Sequence, residues 1–455
     1  MGTSNMTNDA PSGQGDVRSE PDARLVGDAG AGAARLVVIG DVGVLDGMVH
    51  IGDEAMFEEF VEQMRARGVT RITALSSNPA ETEERYGVDA VLNVGFAPGL
   101  VGGRDGQRAR MERVLATASA AAAGAPAPSD ALAPDDSAHA VIAAVRDASG
   151  VAIAGGGNMA SIWPLHIFER ATLAGLARIF GKPLVVSGQT IGPELTGEDR
   201  DLVAELLSSA ALVGLRESAS YTLVESLGVD PRLLTATIDD ASFVGASSVG
   251  AGSSEPRSES EGDEDARPSL VVSLASHVGD ADRGLFVPAV ASLLDALASE
   301  SGLGVTFLAH FGSLTPGDER GDSVMHRAVI DAMTTTDVAV VTPTDSPAAA
   351  RLARSAALVV TSRYHPAVFA VAGGVPTVGI AVDDYTTVKL TGALGNFGQS
   401  SVVSAAAVID GSAVDVALGA WRVAATTRAS WQDRIGDARA TSSAWWDRVA
   451  AALRP

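Results

Sequence analysis

Short apolar runs rich in β-branched residues alternate along this chain with longer segments of helical period. That alternation constrains the fold more than any other feature. In the first half the runs are Leu36–Ile39, Ile72–Leu75, Val151–Ala154, Leu184–Ser187, Ala211–Leu215 and Leu233–Ile238. In the second they are Leu270–Leu274, Val305–Ala309, Val338–Val341, Leu358–Thr361 and Thr377–Val382. Most are apolar on both faces, as strands between two helix layers must be. Strands separated by helices pair in parallel. The expected fold class is α/β: two doubly wound, Rossmann-like domains facing a central cleft. Ligands in such sheets sit beyond the C-terminal strand ends, so those turns are where chemistry is expected.

At 455 residues the chain exceeds one ordinary core. Residues 245–268 are Ser, Gly and acids with almost no apolar side chain, and read as a flexible acidic linker. It separates an N-terminal domain at 35–244 from a C-terminal domain at 269–455 that ends in helices. Residues 1–34 read as a disordered tail that lacks the apolar core of an export signal. The Ala/Pro/Ser/Asp stretch at 117–137 reads as a surface insertion. No membrane span is evident, because the apolar stretch 367–382 is interrupted by Gly373, Gly374 and Pro376. The expected location is cytoplasmic, with the inner membrane face as the alternative.

Lysine and arginine total 33 against 56 acidic residues, a net charge of −23. Such a chain has no general attraction for nucleic acid or an anionic membrane; an anion must be held by a local cationic site. The absence of cysteine removes disulfides, thiolate zinc sites, iron–sulfur clusters and thiol nucleophiles. Lys182 and Lys389 are the only lysines, so cationic chemistry falls mostly to arginine. The histidines are scattered without metal-binding spacing, and no metal site is expected.

Several strand-end turns carry residues able to act. Arg363-Tyr364-His365-Pro366 follows the run 358–361 and opens a helix, where backbone N–H groups favour an anion. A guanidinium there grips carboxylate or phosphate, and an imidazole exchanges protons near neutral pH; the plainer alternative is a helix cap beside a surface arginine. Arg216 ends the run 211–215 and reaches for the same cleft, unless Arg216 and Glu217 form a solvated pair of little consequence. Gly155-Gly156-Gly157-Asn158 and Gly188-Gln189 are glycine turns that either approach a ligand or pack a strand on a helix. Asp53 reads as the N-cap of a helix at 54–67, or as a partner for an acceptor hydroxyl. Lys389 follows the run 377–382, either as a phosphate neutraliser or as a surface charge. Asp239 and Asp240 end the run 233–238, where they orient the linker or line the cleft. Trp445 and Trp446 read as packing residues.

Taken in order, HIGDEA (50–55), GGGN (155–158), GQTIGP (188–193), LRES (215–218), DDASF (239–243) and SRYHPAVFAVAGGVPTVGI (362–380) resemble the polysaccharide pyruvyl transferase family over roughly residues 35–400. The resemblance implies a fold like the GT-B glycosyltransferases. It also implies transfer of a pyruvyl group from phosphoenolpyruvate onto a sugar of a cell-surface glycan or its precursor, leaving a cyclic ketal. By the same resemblance Arg363 and His365 match the donor-binding and catalytic segment, with His365 as general acid or base. Arg216 matches the arginine that helps hold phosphoenolpyruvate, Lys389 a family lysine, and Gly156, Gly157, Asn158 and Gln189 the cleft-lining loops; Asp53, within HIGDEA, is a further substrate-binding candidate. No cofactor is implied beyond the donor. The sequence departs from the family at GDVGVLDGMVHIGDEA, where the usual compact loop is stretched. Two other readings stay open: a glycosyltransferase using a nucleotide-sugar in the same cleft, and a non-catalytic sugar- or anion-binding homologue.

Overall fold

Every apolar run named above is a strand. The computed structural model describes residues 34–97, 99–100, 102–126, 132–246 and 268–454. The expected tail at 1–34 and linker at 245–268 lie outside them, apart from Ala34, Gly245, Ala246 and Pro268. Up to residue 246 the strands are β1 (Arg35–Val42), β2 (Met48–His50), β3 (Arg71–Ser76), β4 (Asp89–Leu92), β5 (Gly150–Ile153), β6 (Gly156–Met159), β7 (Leu184–Ile191), β8 (Leu212–Leu215) and β9 (Leu234–Ala236). The second half contributes β10 (Leu270–Ser273), β11 (Val305–Leu308), β12 (Phe311–Ser313), β13 (Val338–Val341), β14 (Leu358–Thr361), β15 (Thr377–Ala381) and β16 (Val402–Ser404).

The first sheet runs β4-β3-β1-β5-β7-β8-β9, with β6 also paired to β7; the second runs β13-β11-β10-β14-β15-β16. Pairing within both is parallel. Each sheet reverses its strand order beside its first strand, between β1 and β5 and between β10 and β14. These switch points open the crevice in which doubly wound sheets bind ligands. The central strands explain the pattern: β5, β7, β10 and β14 are buried along their whole length, so no polar alternation is tolerated. The architecture is two Rossmann-like domains, as the alternation predicts.

Three local expectations change. The stretched loop after β1 contains a strand that no apolar run marks: β2 pairs antiparallel with β12 of the second lobe, with His50 opposite Phe311. Their rings stack at 4.0 Å. The insertion expected at 117–137 begins as the last turns of the helix Gly103–Ala123, where Ala118 is fully buried. An alanine run favours helix over loop, and Asp136 beyond it pairs with Arg110 at 2.9 Å. The final helix, Ala424–Leu453, is shared between the lobes: Trp431, Ile435 and Ala438 pack with Ala367, Val371 and Leu390 of the second domain, and its last turns reach the first. Its Trp445, Trp446, Val449 and Leu453 pack against β1 residues Leu36 and Val38. Among the described residues one helix, Arg283–Ser301, is long and apolar enough to cross a membrane by length and composition; its Phe286, Val290, Leu293 and Leu297 lie in the second core.

Candidate functional site

Arg216, the residue after β8, is 1% exposed. It is therefore not part of a solvated pair with Glu217, which is also buried. Its Nε donates to Thr190 Oγ1 at 2.8 Å and its Nη1 to Asp239 Oδ2 at 2.5 Å. Its Nη2 has no hydrogen-bond partner. The guanidinium lies 4.3 Å above the Tyr364 ring, and the Lys389 ammonium sits 4.8 Å from the same ring. Tyr364 thus carries one cation from each lobe on its π-face. Gly157 closes the pocket. A Cβ there would fall 2.7 Å from Lys389 Nζ and 2.8 Å from Arg216 Nη2, so a larger residue would have to displace these two side-chain tips. The Tyr385 hydroxyl donates to the Gly157 carbonyl, and Lys389 Nζ donates to that hydroxyl at 3.2 Å.

His365 lies in the first turn of the helix Tyr364–Ala372. Its imidazole is packed against Gly52, whose Cβ, if present, would be 1.8 Å from Nδ1. Its Nε2 is buried without a partner and lies 3.9 Å from Asp239 Oδ2. Burial, then the positive charges of Arg216, Lys389 and Arg363, push the imidazole well below its ordinary pKa, so it is neutral near pH 7. Arg363 is paired with a carboxylate. Asp322 grips its Nε at 2.9 Å and its Nη2 at 2.5 Å. That carboxylate is itself fixed by the Phe311 amide. Beneath this pair His310 and His326 are buried and pushed down to about 3 and about 4, chiefly by desolvation.

The first lobe supplies a more acidic mouth. Asp53 is not a cap: the helix starts at Ile51 with His50 at its N-cap, and Asp53 stands in the first turn without a capping bond. Its side chain is 37% exposed, and the desolvating walls of the cleft hold its carboxyl above the usual range. Asn158 donates to Asp41 Oδ2 at 2.5 Å. Burial alone would raise Asp41. The buried Arg170 guanidinium, aided by nearby His166 and the hydrogen bond from Asn158, outweighs burial and holds the carboxyl well below the usual range. Gln189 lies behind the glycine turn, fully buried, donating to the Ala154 carbonyl. It braces Gly156, whose Cβ would meet its amide at 3.0 Å. Among the described residues no three His, Asp or Glu side chains converge as metal ligands would.

A family model for polysaccharide pyruvyl transferase matches residues 50–384. The chain belongs to the polysaccharide pyruvyl transferase family. None of the curated proteins matches it by sequence. Solved structures similar to it in fold include a candidate UDP-N-acetylglucosamine 2-epimerase from Listeria monocytogenes, with TM-score 0.57, 12% identity, and coverage of 93% of this chain and 96% of that one. MnaA of S. aureus with UDP gives 0.53 at 8% identity, covering 88% and 91%. HepE of Anabaena with UDP and glucose gives 0.50 at 13%, covering 92% and 99%. At these identities the likeness is one of fold.

Within this pyruvyl transferase family member the structure gathers Arg216, Lys389, Gly157 and His365 into one pocket, with Asp53 and Asn158 at its mouth. It turns Arg363 toward Asp322 and sets Gln189 and Gly156 behind the wall. Asp322, Tyr364, Asp41 and His166 have no site role in the sequence reading, and Asp239 enters it only as a residue that orients the linker or lines the cleft. Asp239 ends a strand run, and that signal was available. Asp322 and His166 lie in segments without any motif, and only the fold brings them near.

Proposed function

We propose that this protein moves a pyruvyl unit from phosphoenolpyruvate onto two hydroxyls of a sugar, leaving a cyclic ketal and inorganic phosphate. The supporting observation is that Arg216 Nη2 and His365 Nε2 are buried without partners beside Lys389, in a chain of net charge −23. Unpartnered buried polar groups are costly unless a ligand satisfies them. A donor carrying a carboxylate and a phosphate matches cations presented by opposite lobes.

The charge state of His365 then follows the donor. Burial and the nearby cations keep the imidazole neutral, although Asp239 Oδ2 lies 3.9 Å from its Nε2. Anionic donor groups beside it reverse that bias, so it takes up a proton as the donor binds and holds it for the methylene carbon. Protonation there leaves positive charge on the central carbon, to which a sugar hydroxyl adds, losing its proton to a base at the mouth. Phosphate leaves with the electron pair of its carbon–oxygen bond, stabilised by Arg216 and Lys389. The second hydroxyl then closes the ring, giving up its own proton. Donor plus diol equals ketal plus phosphate, with no redox step.

Calorimetric titration with phosphoenolpyruvate, in buffers of different ionisation enthalpy, tests this directly. Proton uptake near neutral pH is expected. His365→Asn removes that uptake and phosphate release with a sugar acceptor; Lys389→Met weakens donor binding. Donor binding with no proton taken up, or full turnover by His365→Asn, overturns the reading.

A further inference from the structure

Two cations meet in the pocket, and one of them is a lysine on a flexible four-carbon stem. Lys389 Nζ and Arg216 Nη2 lie 2.7 and 2.8 Å from the point a Gly157 Cβ would occupy. Like charges this close repel, and ordering a lysine side chain costs rotamer freedom. The ammonium swings out to solvent unless something holds it. Among the described residues its one hydrogen bond goes to the Tyr385 hydroxyl, at 3.2 Å. Tyr385 and Lys389 are four residues apart on the helix Asp384–Asn396, so they are neighbours on its surface. The same hydroxyl donates across the cleft to the Gly157 carbonyl. An ammonium only donates and a carbonyl only accepts. The single phenolic proton therefore goes to Gly157, and a lone pair on the phenolic oxygen receives Lys389.

The helix that carries both residues is fixed at each end. At its start Asp383 and Thr386 form reciprocal capping bonds. At its end Asn396 Nδ2 donates to the Arg216 carbonyl at 3.1 Å, and a Cβ at Gly392 would stand 2.5 Å from Glu217 Cβ. This second-lobe helix is thus bonded to the first lobe at Gly157 and at Arg216, the two first-lobe sides of the pocket. We propose that Tyr385 is a positioning residue for the donor: its hydroxyl, held by Gly157, fixes the Lys389 ammonium beside Arg216, so that both cations reach one anionic donor. This rests on the pyruvyl-transfer reading. With one N–H of the ammonium on Tyr385, two remain for the donor. Donating to Gly157 also polarises the phenolic oxygen and makes it a better acceptor for the ammonium. The chain of bonds crosses the cleft, so the place of Lys389 depends on how far apart the lobes stand, and donor affinity depends on it in turn.

The test uses the full chain and calorimetric titration with phosphoenolpyruvate alone, in the wild type, Tyr385→Phe, Lys389→Met and the double variant. Tyr385 is half-buried and phenylalanine keeps its ring, so the variant folds and loses only the hydroxyl. Tyr385→Phe weakens donor binding about tenfold, the worth of a hydrogen bond to a charged group. In the Lys389→Met background the same change has no effect, because the side chain it acts through is gone. A merely structural role gives the same loss in both backgrounds. Wild-type affinity in Tyr385→Phe, or a tenfold loss that persists beside Lys389→Met, overturns the positioning role and leaves the donor reading standing. A wild-type protein that binds no phosphoenolpyruvate overturns the pyruvyl-transfer reading and this inference with it.

Discussion

Gly52 has ordinary helical geometry, so nothing in its own backbone calls for glycine. Helix propensity alone favours alanine there by about 1 kcal/mol. The reason for glycine is His365, whose Nδ1 occupies the space a Cβ would take, 1.8 Å away. In Gly52→Ala the imidazole must leave its place over the pocket. The gain in propensity offsets part of an overpacking cost of about 1–3 kcal/mol. The expected outcome is a modest loss of stability in urea with phosphate release down about 100-fold, the size of a lost proton-transfer group. Unchanged turnover in a folded Gly52→Ala protein would show that His365 does not act from this position. Asp322 illustrates a different relation: it engages Nε and Nη2 of a guanidinium that the sequence offers to substrate.

At the scale of elements, the last helix decides more than its position in the chain suggests. Trp446 is 1% exposed and meets Phe60 edge-on at 5.8 Å, so the helix Ala424–Leu453 covers one face of the first sheet. Trp445 donates from Nε1 to Ser187 Oγ at 3.0 Å, and that hydroxyl donates to Asp240 Oδ1 at 3.0 Å. The C-terminal helix is therefore hydrogen-bonded through to the floor of the cleft. Trp446→Ala should destabilise the protein by about 3–5 kcal/mol, the usual cost of emptying a large aromatic site, read as a fall in the urea midpoint. A shift well under 1 kcal/mol would mean the helix does not hold the lobe. The β2–β12 pair acts at the same scale, clasping the lobes through backbone bonds and the His50–Phe311 stack.

For the whole molecule, buried titratable groups set the response to pH. Burial pushes Asp240 up to about 8 and Glu54 and Glu59 to about 7. Each folded pKa lies above the unfolded one, so their contribution to stability is complete at acid pH and is lost as pH rises through 7–8. His310 and His326, with folded pKa values pushed down to about 3 and about 4, act oppositely. Their contribution is present above the ordinary value of 6.5 and is lost as pH falls toward 4. Above about 6.5 these histidines no longer titrate in either state, and the carboxyls dominate. Tm is expected to fall from about pH 6.5 to about pH 8, and Asp240→Asn to flatten the fall. A Tm that holds level or rises across that window contradicts the protonated state of these carboxyls.

The strands were legible because burial on both faces leaves a direct mark, an unbroken β-branched run such as LVVS or LVVT. The short edge and crossover strands β2, β4, β6 and β12 carry no such mark: β4 and β2 are partly exposed, and β6 is built from glycines. Arg216, His365 and Lys389 were visible as cations and an imidazole at strand ends. The sequence by itself determined that both lobes would be parallel sheets and which turns would face the crevice, since periodicity and turn chemistry are local. Only the tertiary structure decided which charges were still free to meet a ligand. Asp239 and Asp322 lie 23 and 41 residues from the arginines they hold, and a charge is governed by what lies a few ångströms away in space.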